Sequence, residues 1–280
     1  MNKQMLARLL WGEWSWLRLG RSLLFIYVCF AIYIFFFVDR LIFPSPPSSY
    51  QDSKNILKFK SNGRNLSAVY LPLPTAGSTN VLPYTILYMH GNGKDLGNIQ
   101  PVLQEFNQLG FNVFAYDYSG YGTSEGKASE RNAYEDADAA YNYLTEQLKI
   151  EPEKIILYGY SVGGGPAFHL AVNRPIAGLI VQGTFTTAFR VKVPIPILPF
   201  DRFVNIAKIK KINCPVLVMH GKEDKTIPFS HGEKLFAAAP TPKLSLWVDD
   251  AGHNDFLSIA GERYSQSLTE FVQLIEGDGN

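Results

Sequence analysis

The residues best suited to do chemistry in this sequence are grouped in one short motif. Residues 159–163 read GYSVG, of the form G-x-S-x-G, between a strand-like run, KIILYG, and a helix-like run, VGGGPAFHLAVNR. So tight a strand-to-helix turn has no room for side chains at Gly159 and Gly163, and it raises the Ser161 hydroxyl above the edge of the sheet. The motif therefore predicts Ser161 as a nucleophile.

A serine hydroxyl needs a base to take its proton and an acid to orient that base. Asp224 follows the strand-like run PVLVMHG, and His253 follows the run KLSLWV. Both then lie in loops at the sheet edge that carries Ser161, in the chain order serine, acid, histidine. We predict these three residues as a catalytic triad, with Glu223 as the alternative acid.

The other four histidines fit the role of base less well. His169 falls within a helix-like segment, His231 opens another, and His220 precedes the loop that carries the acid. His90 belongs to a separate motif, MHGNG. The sequence therefore favours a packing or surface role for His169 and a structural role for His220.

The motif MHGNG, residues 89–93, ends the third strand-like run. Its two glycines allow backbone N–H groups to turn toward the serine, and the residue after the nucleophile offers another N–H at a helix N-terminus. We expect the N–H groups of Asn92 and Val162 to form an oxyanion hole, with Gly91 and Gly93 as alternatives to Asn92.

A mostly parallel sheet is needed to bring these motifs together. The later strand-like runs are almost continuously apolar, as in strands buried on both faces, and helix-length segments such as residues 129–148 lie between them. This alternation predicts an eight-stranded α/β sandwich whose first two strands pair antiparallel at an edge. The runs begin at Ile56, Leu66, Thr85, Asn112, Lys154, Ala177, Pro215 and Lys243.

The beginning of the chain differs in kind from the rest. Residues 22–38 carry no charge, and a bilayer core is crossed by about 20 apolar residues, so residues 22–43 are predicted as a transmembrane helix. Residues 1–21 are then a cytoplasmic or interfacial segment, with Trp11, Trp14 and Trp16 at the membrane surface. Residues 44–50 form a proline-rich linker, and residues 51–280 form the main domain. A cleaved signal peptide and a buried core helix are the alternatives.

Basic residues on the two sides of this helix predict its orientation. More of them precede the helix than follow it closely, which indicates a cytoplasmic N-terminus and a main domain outside the cytoplasm of a single-pass membrane protein. The basic residues before the helix are Lys3, Arg8, Arg18 and Arg21, and those after it are Arg40, Lys54 and Lys58.

Composition excludes several classes of function. The net charge of +1 argues against a nucleic-acid partner, which would require clustered basic residues. Cys29 lies in the apolar run and Cys214 begins a strand, so a disulfide is not expected, and no His or Cys cluster has the spacing of metal ligands. The sequence predicts neither a metal nor an organic cofactor, and it does not indicate an oligomeric state.

Taken together, GYSVG, HGNG, YDYSGYGTSEG, HGKEDKTIPFSHGE and DDAGHND resemble the motifs of the α/β-hydrolase superfamily. Within it the chain is similar to membrane-associated serine hydrolases that include the protein depalmitoylases, or acyl-protein thioesterases. The resemblance covers about residues 56–275 and implies the α/β-hydrolase fold, a minimal lid, and Ser161, Asp224 and His253 as the triad. Those depalmitoylases carry a cysteine-rich acylated tail where this chain has an apolar helix.

The expected activity is that of a serine hydrolase acting on carboxylic esters or thioesters of small molecules, lipids or acylated proteins. Only residues 184–213 separate the sixth strand from the seventh, and their apolar stretch VKVPIPILPF is an acyl-pocket wall, a membrane contact or a packed loop. The turn YDYSGYGTSEG is interpreted as mainly architectural, with Asp117 and Ser119 bonding local backbone. The alternative is contact with the substrate, since loops at this edge of the sheet line the site. The alternatives are a membrane-bound serine peptidase or amidase and a catalytically silent scaffold protein.

Overall fold

A computed structural model describes residues 16–73 and 82–277 of the chain, in two compact units. The first unit ends at Leu41 and the second begins at Ile42. Of the three tryptophans predicted at the membrane surface, Trp11 and Trp14 lie outside the described residues, as do the basic residues Lys3 and Arg8.

The first unit is built on one long helix, α1, which runs over Trp16–Ile42. Its mean hydropathy reaches 2.3 and only 11% of its most apolar stretch is buried, so by length and composition it is a candidate membrane span. The helix begins six residues before the predicted start at Ser22. Apolar residues mark the depth of a bilayer, whereas the helical backbone continues through any neighbouring residues that do not break it.

The second unit contains an eight-stranded sheet in the order β1-β2-β4-β3-β5-β6-β7-β8. β1 pairs antiparallel with β2 and β2 with β4, and every other pairing is parallel. The predicted mostly parallel sheet with an antiparallel first pair at one edge is therefore confirmed. The strands are β1 Leu57–Ser61, β2 Arg64–Leu71, β3 Thr85–Met89, β4 Asn112–Tyr116, β5 Ile155–Tyr160, β6 Gly178–Gln182, β7 Val216–Gly221 and β8 Lys243–Val248.

Helices cover both faces of this sheet. They are α2 Leu96–Gln108, α3 Glu130–Asn142, α4 Gly164–Asn173, α5 Asn205–Ile209, α6 Ser230–Ala238, α7 Phe256–Ala260 and α8 Glu262–Gly277. Successive β5 side chains point to opposite faces, and Leu157 and Tyr158 belong to two different apolar clusters. Helices α3 to α6 contribute to the cluster with Leu157, and α2, α7 and α8 to the cluster with Tyr158. Burial on both faces explains why these strands are almost continuously apolar.

Helix α3 begins where the sequence predicts a cap but ends earlier than predicted. The Ser129 hydroxyl accepts the N–H of Asn132 at 3.1 Å and caps the helix start. The predicted helix over 129–148 is α-helical only to Asn142, and a π-helical turn follows over Tyr143–Gln147. In this wider turn the N–H of Leu148 bonds the Tyr143 carbonyl at 3.1 Å, a spacing that periodicity alone does not distinguish from the α-helix.

Candidate active site

Ser161 lies at the junction of β5 and α4, in a turn that strains its backbone. It begins a 3₁₀ turn over Ser161–Gly163 and has φ of +54°, in the left-handed region that residues other than glycine rarely adopt. Such strain is characteristic of active-site turns that the surrounding structure holds in place. Ser161 is buried, with 7% of its surface exposed.

Packing around the turn leaves room only for glycine at its two flanking positions. A Cβ at Gly163 would lie 2.0 Å from the Met89 carbonyl oxygen, and a Cβ at Gly159 would lie 2.7 Å from the Gly164 Cα. Both contacts are with backbone, which cannot move aside as a flexible side chain can. The steric need that the sequence motif implies is thus present at Gly159 and Gly163.

The structure brings together three side chains from separate loops. His253 Nε2 lies 3.1 Å from Ser161 Oγ, and His253 Nδ1 lies 2.7 Å from Asp224 Oδ2. Asp224 follows β7 and His253 follows β8, so two parallel strands deliver the pair to the edge where β5 delivers the serine. The arrangement allows a proton to pass from the hydroxyl to the imidazole while the carboxylate holds the opposite ring nitrogen.

Asp224 is held as a buried carboxylate. Its Oδ1 accepts the N–H groups of Thr226 at 2.8 Å and Ile227 at 2.7 Å. Burial raises the pKa of Asp224, but hydrogen bonds from His220, His253 and the Ile227 N–H outweigh burial and hold the pKa well below its ordinary value. The carboxylate is therefore ionised over the neutral range.

His220 has a closer relation to this site than the sequence indicates. Its Nε2 lies 3.4 Å from Asp224 Oδ2 and 2.9 Å from the Ile227 carbonyl oxygen, and its side chain is buried. The structural role predicted for His220 is consistent with these contacts. The rival acid Glu223 is exposed, and its backbone N–H bonds the Ala251 carbonyl at 3.0 Å.

Sequence reasoning missed Tyr160, which contacts His253, the predicted base, directly. The Tyr160 hydroxyl donates to the His253 carbonyl at 3.0 Å, and the two rings stack with centroids 5.3 Å apart. A Cβ at Gly91 would lie 2.8 Å from the Tyr160 ring, so the glycine makes room for the tyrosine. The only signal in the sequence was the position of Tyr160 immediately before the nucleophile.

The predicted oxyanion donors lie on two segments beside Ser161. Val162 is in the first turn of the 3₁₀ segment, where an N–H has no acceptor one turn earlier within the helix. A Cβ at Gly91 would lie 3.3 Å from the Ser161 Cβ, so the turn after β3 passes next to the nucleophile. The Asn92 side chain accepts the Tyr121 hydroxyl at 3.2 Å, which helps to fix this turn. The choice of Asn92 over Gly91 or Gly93 stays a prediction.

A buried polar network backs the turn that carries Asn92. Asp117 Oδ1 accepts the Leu96 N–H at 2.9 Å and lies 3.3 Å from His90 Nε2, while Asp117 Oδ2 accepts the Tyr50 hydroxyl at 2.6 Å. Asp117 thus bonds distant groups rather than the local backbone predicted for it. The same correction applies to Ser119, whose hydroxyl donates to Asp136 at 3.0 Å. Folding brings Asp136 to Ser119, just as it brings Leu96 and Tyr50 to Asp117.

Metal binding finds no support in the described residues. Across residues 16–73 and 82–277, no three His, Cys, Asp or Glu side chains are grouped so as to hold a metal ion.

Comparison with known proteins gives consistent matches. The family described as serine aminopeptidase, S33, matches residues 84–206. The human alpha/beta hydrolase domain-containing protein 17B is 43% identical over 192 residues, which are 68% of this chain and 66% of that protein. The Caenorhabditis elegans alpha/beta hydrolase domain-containing protein aho-3 is 37% identical over 222 residues, 78% of this chain and 64% of that protein. The matches thus span about two thirds of the length of these relatives.

Solved structures resemble the fold at much lower identity. A Pyrococcus furiosus esterase, Pf2001, superposes with a TM-score of 0.65 at 17% identity and covers 82% of this chain and 97% of its own. A Paleococcus ferrophilus monoacylglycerol lipase superposes with a TM-score of 0.56 at 20% identity, covering 74% of this chain and 98% of its own. At these identities the two structures establish the fold alone.

Proposed function

Because the chain belongs to the α/β-hydrolase superfamily of serine hydrolases, we propose that it is a membrane-anchored enzyme that cleaves carboxylic ester or thioester bonds. Its substrates carry a fatty acyl group, on a small molecule, a lipid or a protein. The observation that carries the proposal is the contact of Ser161 Oγ with His253 Nε2 at 3.1 Å, with Asp224 on the other ring nitrogen. No large lid is present between β6 and β7, where residues 184–213 are all described.

The proposed reaction proceeds through an acyl-enzyme. Ser161 Oγ attacks the carbonyl carbon while His253 Nε2 takes its proton, and ionised Asp224 stabilises the resulting imidazolium. The N–H groups of Val162 and Asn92 receive the oxyanion, and in other serine hydrolases losing one such donor costs about 100- to 1,000-fold in rate. His253 then protonates the departing alkoxide or thiolate, and a water activated by the same imidazole releases the acid.

Membrane anchoring is assigned to α1 in this proposal. Residues 22–43 span the bilayer, residues 1–21 lie on its cytoplasmic side, residues 44–50 link the span to the domain, and residues 51–280 act outside the cytoplasm. The support is the 27-residue length of α1, its mean hydropathy of 2.3, and the excess of basic residues before it. An anchored enzyme meets acyl substrates that are held in the same membrane.

Labelling with a fluorophosphonate probe tests the proposal. We expect the full chain to react and Ser161→Ala to remain unlabelled, because only an activated serine attacks the probe. A chain that fails to react at Ser161 would instead be a silent scaffold. Among p-nitrophenyl esters of increasing chain length, we expect medium or long acyl chains to be preferred, and strict preference for acetyl would contradict a fatty acyl substrate.

A second candidate activity is amide cleavage by a membrane-bound serine peptidase. The match of residues 84–206 to the serine aminopeptidase family favours it. Aminoacyl p-nitroanilides distinguish the two activities. Release of nitroaniline at a rate comparable to that of the best ester would establish the peptidase, whereas turnover of esters alone would support the first proposal.

A further inference from the structure

We infer that residues 189–200, which we call the docking loop, insert into the interface of the bilayer that holds α1. The inserted part is the apolar tip of this loop, residues 194–197. This inference rests on the membrane anchoring in the proposed function and adds a second membrane contact, made by the hydrolase domain itself.

The tip of the docking loop exposes large apolar side chains to solvent. Ile195 is 63% exposed and Ile197 is 47% exposed. Within residues 43–73 and 82–277, only two further large apolar side chains, Val204 and Ile259, are similarly exposed. The two isoleucines alternate with Pro194 and Pro196, which are also exposed. Apolar groups concentrated at one protruding tip mark a contact surface more than scattered single residues do.

The two ends of the docking loop, residues 187–189 and 201–202, are held together by hydrogen bonds. We call these residues the neck of the docking loop. Asp201 accepts the Thr187 hydroxyl at 2.7 Å and the N–H groups of Phe189 at 2.9 Å and Arg202 at 2.8 Å. The Ala188 N–H bonds the Arg202 carbonyl at 2.9 Å and closes the neck. A closed neck of this kind holds the apolar tip away from the domain core.

Several polar backbone groups in and beside the tip have hydrogen-bond partners within the loop itself, so they do not need water. The prolines at positions 194, 196 and 199 have no N–H to satisfy, and the Ile197 N–H bonds the Ile195 carbonyl at 3.0 Å. The Arg190 guanidinium donates to the Val193 carbonyl at 2.9 Å and also to the Ile195 carbonyl. Backbone groups that enter a membrane need such internal partners, whereas a loop in water does not.

Charge and position both favour a lipid surface. Residues 189–200 contain no acidic residue, and Lys192 beside the tip is exposed and able to meet anionic headgroups. Phe43, which follows α1 directly in the chain, is buried with its ring 5.8 Å from Phe203, two residues beyond Asp201. The first residue of the chain after α1 therefore packs at the base of the docking loop.

Docking would bring the catalytic edge to the membrane. The segment that leads into the docking loop starts at Gly183, where a Cβ would lie 3.3 Å from His253 Nδ1. In this proposal an acyl chain drawn from the bilayer enters the site from this edge.

Spin-label accessibility on the full chain in nanodiscs tests the inference. The nanodiscs contain phosphatidylcholine with a smaller share of phosphatidylserine, and single cysteines replace Ile195, Ile197 or Gln147 in a Cys29→Ala, Cys214→Ala background. Gln147 is the control, because it is exposed and precedes β5 at the opposite end from Ser161. We expect the labels at positions 195 and 197 to be more accessible to oxygen than to a water-soluble nickel chelate. The label at position 147 should be more accessible to the chelate. Labels at 195 and 197 that match the control would overturn docking.

The hydrolysis rates of the double variant Ile195→Glu, Ile197→Glu give an independent measurement. We expect at least about tenfold slower hydrolysis of a long-chain ester embedded in the nanodisc, since charges oppose insertion, and little change for soluble p-nitrophenyl butyrate. Equal loss on both substrates would contradict a docking role. If no ester is hydrolysed at all, the proposed function fails while the spin-label result still decides the docking loop.

Discussion

Asp224 is the residue on which the electrostatics of the site depend. Two backbone N–H groups, His253 and His220 all contact its buried carboxylate. In the proposed reaction, a carboxylate with this many donors orients the imidazole and favours its charged form. The acid is thus part of a rigid cluster, which a solvated turn residue could not provide.

Replacing this acid should abolish most activity without unfolding the domain. We expect Asp224→Asn to lower kcat by about 10,000-fold, because an amide at this position favours the wrong imidazole tautomer. The matched control is Glu223→Gln, the exposed neighbour, which should retain near-normal kcat. Steady-state kinetics on one ester measure both, and a larger loss in the control would reassign the acid to Glu223.

The low pKa of Asp224 also predicts a dependence of stability on pH. Because the folded-state pKa lies below that of the unfolded chain, the ionised group stabilises the fold at neutral pH, and this contribution is lost as pH falls below about 4. We expect the Tm of the wild type to fall more steeply than that of Asp224→Asn between about pH 5 and pH 2. Parallel curves in thermal unfolding would show that the carboxylate is not held as described.

At the scale of elements, α4 packs so closely on β3 that the serine turn depends on glycine. The contact between Gly163 and the Met89 carbonyl fixes where the helix starts, and Thr184 on the next loop donates to the Ser161 carbonyl at 2.7 Å. The strained φ of Ser161 is therefore maintained by contacts from two neighbouring segments.

A methyl group at this junction should be poorly tolerated. We expect Gly163→Ala to lower the free energy of unfolding by about 3 kcal/mol or more, since the clash is with backbone. Gly277→Ala is the control, because a Cβ there meets no atom within 4 Å. Chemical denaturation of both variants gives the comparison, and near-equal stabilities would mean that the turn relaxes easily.

The segment that links α1 to the domain also acts as a structural element. Tyr50 bonds the buried Asp117, and Ser49 donates its backbone N–H to Asp95 at 2.6 Å, so this segment supports the turn of His90 and Asn92. Its contacts hold the start of the second unit against the turn that carries Asn92, one of the predicted oxyanion donors.

Loss of one hydroxyl tests this support. We expect Tyr50→Phe to cost about 1–3 kcal/mol of stability and to reduce kcat, because the Asp117 carboxylate loses a short hydrogen bond beneath the turn. Tyr70→Phe removes a partly exposed hydroxyl on β2 and serves as the control. Unchanged activity in Tyr50→Phe would limit the segment to a tethering role.

For the whole molecule, the long apolar helix is the basis of the proposed membrane setting. α1 exposes apolar side chains along most of its length, as a helix that faces lipid does.

Alkaline carbonate extraction tests whether α1 holds the chain in a membrane. We expect the full chain to stay in the membrane pellet and the double variant Phe30→Arg, Ile32→Arg to be released more readily. Each arginine near the bilayer centre raises the free energy of helix insertion by about 2.5–3.5 kcal/mol. A shortened, soluble product of the unaltered chain would identify α1 as a cleaved signal peptide.

The sequence by itself predicted the eight strands, the antiparallel pairing of the first two and the motif that holds Ser161, because side-chain periodicity and the steric needs of a tight turn are local properties. The order of the strands in the sheet came only from the structure. The sequence also placed Asp224 and His253 at one sheet edge, since parallel strands share a direction. Only the tertiary structure decided that Tyr160 stacks on His253, that Tyr50 bonds Asp117, and that Asp201 closes the neck of the docking loop. These contacts join elements whose separation no local pattern encodes, and packing alone fixes their distances.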